Sequence, residues 1–221
     1  MDLRPFMERW HMLPPSGGVM LVAVSGGRDS VCLLHYLAAM PRDFIVAAAH
    51  LNHGQRPTAG RDVAFVEELC RELDVPLTVE RADVPALARE RGVGLEEAGR
   101  MARYDFFRRT ADRLGAQRIA TAHHAADQAE TVVLNLVRGT GMQGLAGIPP
   151  VRGRIVRPLL ETSREEIETY LETHRLSHVE DETNRDTALR RNLLRREVMP
   201  RLAELHDGAA ARESRNASSC R

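Results

Sequence analysis

Apolar residues in this chain gather in short runs, with stretches of helical spacing between them. Residues 19–24, 44–49, 77–79, 118–122 and, more weakly, 154–156 read as strands. Between them, residues 31–39, 60–73, 95–114 and 126–137 place apolar side chains on one helical face; Ala64, Phe65, Leu69 and Leu73 are an example. Alternation of strand and helix predicts a doubly wound parallel five-stranded sheet with helices on both faces. In such sheets ligands bind beyond the carboxyl ends of the strands. A glycine- and proline-rich stretch, 139–153, precedes a helix with Ser163 at its N-cap and Glu166 completing a capping box. A last, arginine-rich helix is predicted over 187–205. The pattern divides the chain into an N-terminal extension (1–18), an α/β core (19–160), a helical extension (161–205) and a disordered tail (206–221) of small and polar residues.

The chain has 221 residues and a formal net charge of zero, so no global field points to nucleic acid. It contains no lysine; arginine carries all of its permanent positive side-chain charge. Cys32, Cys70 and Cys220 are far apart and form no C-x-x-C pair, which argues against zinc or a disulfide framework and for a reducing compartment. No apolar run is long enough to span a membrane, and residues 1–13 lack the apolar stretch of a signal peptide. A cytoplasmic protein is expected.

Chemistry concentrates first in Ser25-Gly26-Gly27-Arg28-Asp29-Ser30, between the first strand and the first helix of the core. A turn in that context aims backbone N–H groups and the positive end of a helix at an anion. Gly26 and Gly27 let the backbone approach phosphate oxygens, and Ser25 and Ser30 add hydroxyl donors. Asp29 beside a polyphosphate makes sense with a divalent cation between them. The turn lacks the lysine of the common G-x-x-x-x-G-K-[ST] loop and is not G-x-G-x-x-G. The competing reading is a glycine turn that merely caps a helix.

Four other segments follow predicted strands or lie on helices. His50-Leu51-Asn52-His53-Gly54-Gln55-Arg56 ends the second strand. An isolated His-x-x-His reads as a polar loop, but beside the phosphate turn His50, Asn52, His53 and Arg56 can contact nucleotide or substrate. Glu96, Arg100 and Arg103 lie near one helix face, either as an exposed i,i+4 pair or with Arg100 and Arg103 meeting a phosphate or carboxylate. Thr121-Ala122-His123-His124 ends a strand, and Asp127, Glu130 and Thr131 share a face of the next helix. Two acids there form a receptor for a metal or an ammonium, with a helix cap as the alternative for Asp127. Arg138-Gly139-Thr140-Gly141 then lets backbone approach a ligand, or is a flexible linker. Arg190, Arg191 and Arg195 sit on a broad basic helix surface suited to phosphate backbone, or simply solvated.

Together these blocks resemble the N-terminal catalytic domain of the tRNA(Ile)-lysidine synthetase family, whose loop is of the PP-loop ATPase type. The family pattern runs S-G-G-x-D-S, H-x-N-H-G-L-R, E-x-A-R-x-x-R-Y, T-A-H-H-x-D-D-Q-x-E-T and R-G-x-G-x-x-G-L. Arg157-Pro158-Leu159-Leu160, Glu180 to Asp186, and Arg191-Asn192-Leu193-Leu194-Arg195 match three further blocks. The resemblance implies a fold like the adenine nucleotide alpha hydrolases. It implies ATP and Mg²⁺, a CAU-anticodon isoleucine tRNA and free L-lysine as substrates and cofactor, and a homodimer as one assembly. ATP adenylates C2 of the wobble cytidine and lysine displaces AMP. In that scheme Ser25 to Ser30 bind pyrophosphate, Asp29 holds Mg²⁺, Asp127 and Glu130 hold the lysine amine, Arg103 binds a phosphate or the lysine carboxylate, and His123 and His124 are candidate proton acceptors. Arg190, Arg191 and Arg195 would contact tRNA.

Three substitutions depart from the pattern: Gln55 for leucine, Gly99 for alanine, and Ala126 for an acid or amide. The family also carries C-terminal domains that grip tRNA, and the sequence from about Asp207 does not read as their beginning. Two alternatives remain: a non-catalytic ATP-binding fragment, and a PP-loop tRNA thiolase, which typically needs paired cysteines.

Overall fold

The computed structural model describes residues 1–53, 59–179 and 193–205. Its helices and strands are α1 (Arg4–Arg9), β1 (Val19–Ala23), α2 (Arg28–Ala39), β2 (Ile45–Asn52), α3 (Ala59–Glu72), β3 (Leu77–Arg81), α4 (Val84–Arg91), α5 (Leu95–Leu114), β4 (Arg118–Ala120), α6 (Ala125–Val137), α7 (Met142–Leu145), β5 (Val151–Arg152), β6 (Ile155–Val156), α8 (Arg164–Thr173) and α9 (Met199–Leu205), with a π-helical turn over Leu194–Val198 leading into α9. The sheet has the order β3-β2-β1-β4-β6-β5. All pairs are parallel except β5–β6.

Each element has a local cause. The Val-Met-Leu-Val-Ala run of β1 is buried through its centre because it is a middle strand covered on both faces. In register with it, Ala47, Ala48 and Ala49 of β2 keep that centre thin enough for helices to pack closely. Ser163 caps α8 by accepting from the Glu166 N–H, and Glu166 returns the bond, as expected from sequence. Asp83 caps α4, whose two turns were too short to register as a period. A sixth strand, β5, revises the expected count: Gly153, at φ +60°, reverses the chain into a two-residue hairpin arm beside β6. An element of two residues carries no readable alternation.

The helices divide the core into two layers. Met20, Val22 and Val31 pack with the faces of α1, α2, α3 and α8, while Leu21, Ala47 and Ile119 pack against Phe106, Phe107 and Ala111 of α5. The chain winds outward from β1 through β2 to β3, then from β4 to β6 on the other side. The switch point therefore lies between β1 and β4. Ligands of this topology bind in the crevice that opens there, at the carboxyl ends. Among the described residues no helix is long and apolar enough to cross a membrane.

Candidate nucleotide and substrate site

The Ser25–Ser30 turn leaves β1 at that switch point and opens α2. Gly26 sits at φ +87°, and a Cβ there would lie 3.4 Å from Val66 Cγ2 and 3.5 Å from Phe65 Cδ1. Glycine is required by backbone conformation more than by space. Two serines knit the turn. Ser30 Oγ accepts from the Ser25 N–H at 3.1 Å and donates to the Gly27 carbonyl at 2.8 Å. Ser25 Oγ accepts from the Gly27 N–H at 3.3 Å. No side chain caps α2 at Gly27, so its first N–H groups remain receptive to an anion. From beyond α8, the Val179 N–H reaches back and donates to the Gly26 carbonyl at 2.9 Å.

Arg28 Nε stays 3.6 Å from Asp29 Oδ1, an ion-pair distance without a hydrogen bond. The Arg28 guanidinium turns to Glu168 of α8, which Arg164 also binds at 2.9 Å. The Arg28 guanidinium is thus shared between Glu168 at one end and Asp29 at the other. Asp29 stays by the crevice, its Oδ1 buried and without a hydrogen-bond donor among the described residues, its Oδ2 3.7 Å from His124 Nε2.

His124 is the hinge between the two halves. It is buried and caps α6: Nδ1 accepts from the Ala126 N–H at 3.3 Å, and its own N–H donates to Asp127 Oδ2 at 3.1 Å. Asp127 is thus the far member of a capping box rather than the cap itself. With Nδ1 accepting, the neutral ring carries its proton on Nε2, which lies 3.7 Å from Asp29 Oδ2 and 3.7 Å from Asp127 Oδ2. His123, the other expected proton acceptor, places Nδ1 3.0 Å from Thr121 Oγ1.

Arg195 departs from its expected place. On sequence it belonged to a basic surface for tRNA; the structure turns it inward from the π-helical turn. Its Nε donates to Glu130 Oε1 at 2.6 Å and Nη2 to Glu130 Oε2 at 3.2 Å, with Asp127 Oδ1 3.4 Å away. Glu130 is 1% exposed. Burial would lower the Arg195 pKa, but Glu130, Asp127 and Asp29 together raise it. Arg190 and Arg191 lie outside the described residues, as do Arg56 and the predicted tail.

The opposite wall of the crevice is basic. Arg103 of α5 points Nη2 to within 3.3 Å of His53 Nε2, at the end of β2. Crowding by protein atoms, with Arg100 adding to it and Tyr104 opposing, holds Arg103 below the ordinary arginine value. Arg100 lies over the Tyr104 ring, 5.7 Å from its centroid, and the Glu96–Arg100 ion pair, one of the two readings from sequence, does not form among the described residues. Gly99 has no atom closer than 3.8 Å to a built Cβ, so an alanine fits there. Asn52 closes β2 by accepting the Ala82 N–H on its carbonyl. His50 is buried beneath the turn, with Nδ1 2.9 Å from the Val24 carbonyl, and burial lowers its pKa. It supports the turn and does not face the crevice. Arg138 ends α6 exposed, and Gly139, at φ +73°, and Gly141 lead into α7.

Two residues that shape the site, Glu168 and Gln128, were assigned no role from sequence, although Gln128 lies in the T-A-H-H block. Glu168 turns Arg28 away, although its only visible partner on sequence was Arg164. Gln128 is fully buried; its Oε1 accepts from the Ile148 N–H at 2.5 Å and its Nε2 donates to the Ala146 carbonyl at 3.3 Å. With Asn135 Nδ2 donating to the Gly144 carbonyl at 2.8 Å, it ties down the 139–147 segment, which is no loose linker.

A doubly wound sheet with an N–H-lined turn and a carboxylate at its switch point defines a nucleotide-binding α/β domain. Residues 7–202 match the model of the PP-loop domain, and the chain belongs to that family, which implies ATP use. Over 190 residues the chain is 47% identical to the tRNA(Ile)-lysidine synthase of Porphyromonas gingivalis, covering 85% of this chain and 41% of that protein. Over 192 residues it is 44% identical to the tRNA(Ile)-lysidine synthase of Thermotoga maritima, covering 86% and 46%. The chain thus spans less than half the length of these curated relatives. Among solved structures, the U34-tRNA thiolase NcsA of Methanococcus maripaludis, with its 4Fe–4S cluster, superimposes with a TM-score of 0.75 at 16% identity, covering 98% of this chain and 79% of that one. That likeness shows the fold alone.

Proposed function

We propose that this chain catalyses the ATP-dependent ligation of lysine to C2 of the wobble cytidine in a CAU-anticodon isoleucine tRNA. The observation that carries the reading is the convergence of Asp29, His124 and Asp127 beside a phosphate-receptive turn, in a chain so similar to lysidine synthases. The proposed enzyme works in the cytoplasm.

In the first step the cytidine C2 oxygen attacks the α-phosphorus of ATP and the bond to pyrophosphate breaks. The N–H groups at the start of α2, with Ser25 and Ser30, receive the departing charge. Asp29 fits a Mg²⁺ ion, because Oδ1 is a buried oxygen with no donor and Mg²⁺ needs only one or two carboxylates besides phosphate and water. A Mg²⁺ ion held by Asp29 would offset the charge developing on the pyrophosphate leaving group. In the second step the lysine ε-nitrogen attacks C2, the C2–O bond breaks, AMP leaves and the amine loses its proton. Asp127 and Glu130 would hold the ammonium beforehand, in exchange for the Arg195 guanidinium. His123 takes the proton, because His124 has Nδ1 committed to the Ala126 N–H and its ring proton already on Nε2. Arg100 and Arg103 supply positive charge for RNA phosphate or the lysine carboxylate.

The test is AMP release from ATP with lysine and a CAU-anticodon transcript, each omitted in turn. AMP formation that requires both and disappears when the wobble cytidine is changed supports the reading. ATP binding without tRNA-dependent AMP overturns it and favours a non-catalytic ATP binder, the reading to which Ala126 points. A thiolase reading has little support. Burial, with Asp29 adding to it, pushes the Cys32 thiol up to about 12, and burial pushes Cys70 up to about 11, so neither offers a thiolate near neutral pH.

A further inference from the structure

The phosphate turn carries its own cation, and a neighbouring helix holds it. Arg28 fills the position that the S-G-G-x-D-S pattern leaves open, and it is the first residue of α2. A positive side chain there opposes the helix dipole and stands where polyphosphate is expected. A guanidinium released at that place would bind phosphate oxygens directly, with up to two hydrogen bonds. In this chain it is engaged. Nη1 donates to Glu168 Oε1 of α8, and the same oxygen accepts from Arg164 Nε at 2.9 Å. At the other end Nε stops 3.6 Å from Asp29 Oδ1. Both of those atoms are sealed from solvent and have no hydrogen-bond partner among the described residues. Arg164, Glu168, Arg28 and Asp29 thus form a string of alternating charge that runs from α8 to the crevice.

The Arg28–Glu168 pair is not what docks α8. Ile167 and Leu171 are buried in the same core cluster as Val31 and Leu34 of α2, and His35 Nδ1 lies 2.8 Å from Tyr170 Oη. The side chains of Arg28 and Glu168 are 27% and 42% exposed, so their pairing adds little to stability. Its consequence is directional. Drawn to Glu168, the guanidinium presents Nε alone to Asp29, at ion-pair distance and without chelating the carboxylate. Asp29 Oδ1 keeps its lone pairs for a divalent cation. The charge of the polyphosphate is then left for that cation to neutralise instead of for Arg28.

We propose that Glu168 is a positioning residue that sets nucleotide selectivity: by holding Arg28 away from the polyphosphate, it makes the turn select the metal complex of ATP over free ATP. This rests on the ATP reading of the turn, with Mg²⁺ at Asp29. Glu168 touches no substrate and acts only through Arg28.

The test is calorimetric binding of ATP to the full chain, in EDTA and in Mg²⁺, for wild type, Glu168→Gln, Arg28→Met and the double variant, with melting temperatures alongside. Wild type should bind ATP more tightly in Mg²⁺. In Glu168→Gln the released guanidinium reaches phosphate, so ATP in EDTA should bind roughly tenfold more tightly, the scale of one charge-assisted hydrogen bond. The preference for Mg²⁺ should shrink by a similar factor. In the Arg28→Met background, Glu168→Gln should move the affinity in EDTA by less than about twofold, the range of independent sites. Loss of a negative field alone acts in both backgrounds, so an equal gain in both overturns the positioning role. So does an unchanged preference in Glu168→Gln, and a lower melting temperature in that case marks a structural tie between α2 and α8. A wild type that binds ATP equally well with and without Mg²⁺ overturns the selectivity and leaves the ATP site standing. A wild type that binds no ATP in either buffer sinks both. The expected shifts without tRNA-dependent AMP leave the selectivity standing and sink the ligation reaction.

Discussion

Replacing Arg195 with alanine removes the clamp that holds the π-helical turn and α9 against α6. The pair it breaks is bidentate, at 2.6 and 3.2 Å, with Glu130 1% and Arg195 39% exposed on the side chain. Exposed ion pairs contribute about 0–1 kcal/mol, and breaking a fully buried one costs about 3–5 kcal/mol. Arg195 is more than a third open to water, and its removal lets water reach Glu130, so screening brings the figure down to about 1–2 kcal/mol. At roughly 2–4 °C per kcal/mol for a domain of this size, the melting temperature should fall by about 2–8 °C. The assay is a double-mutant cycle of Arg195→Ala and Glu130→Gln, read by urea unfolding. Because each single variant strands the other partner, the double variant should be destabilised by less than the sum, with a coupling of about 1–2 kcal/mol. A coupling under about 0.5 kcal/mol refutes the reasoning, since distant, independent sites add within that range. It would mean that apolar packing, such as the buried Leu194, holds the turn in place and the ion pair merely forms there.

Gly26→Ala forces a side chain onto a backbone at φ +87°, at a strain of roughly 1–2 kcal/mol; calorimetry should show weaker ATP binding and a lower melting temperature, and unchanged ATP affinity would contradict the role given to the turn. Asp29→Asn should slow AMP formation by about 10²–10³-fold and move its Mg²⁺ dependence to higher concentration; an unmoved Mg²⁺ titration argues against the metal assignment. Burial lowers the pKa of His50, and burial with His174 lowers that of His35, both from 6.5. As pH falls the unfolded chain binds those protons first, so the stabilisation is complete above about pH 6.5 and is lost as pH drops through the depressed folded values. Urea midpoints should therefore fall between about pH 7.5 and 5.5, and His50→Gln should flatten that slope if the assignment is right.

The α/β architecture was legible because β1, β2, α2 and α5 are long and repeat with a clear period, and Ser163 and Glu166 announced α8. The phosphate turn was legible because its glycines and serines act through the backbone next to them in sequence. What sequence left out acts at a distance. Arg28 and Arg195 look like free cations until Glu168 and Glu130 are brought against them, from 140 and 65 residues away. His50 and His53, three residues apart, take opposite fates: one is buried beneath the turn, the other faces Arg103. Strand alternation alone would not separate them, because β2 is buried on both faces.

The bond from the Val179 N–H to the Gly26 carbonyl spans 153 residues of chain. Bonds of such separation close late, because a long loop must be ordered before they form. During synthesis, β1, α2 and β2 can assemble while the ribosome is still translating the rest, yet the loop between β1 and α2 lacks this brace until residue 179 has emerged. Nucleotide affinity in a nascent chain should therefore rise abruptly once residue 179 has emerged rather than gradually. The nucleotide then preferentially stabilises those molecules in which the segment at Val179 has docked on the turn at Gly26.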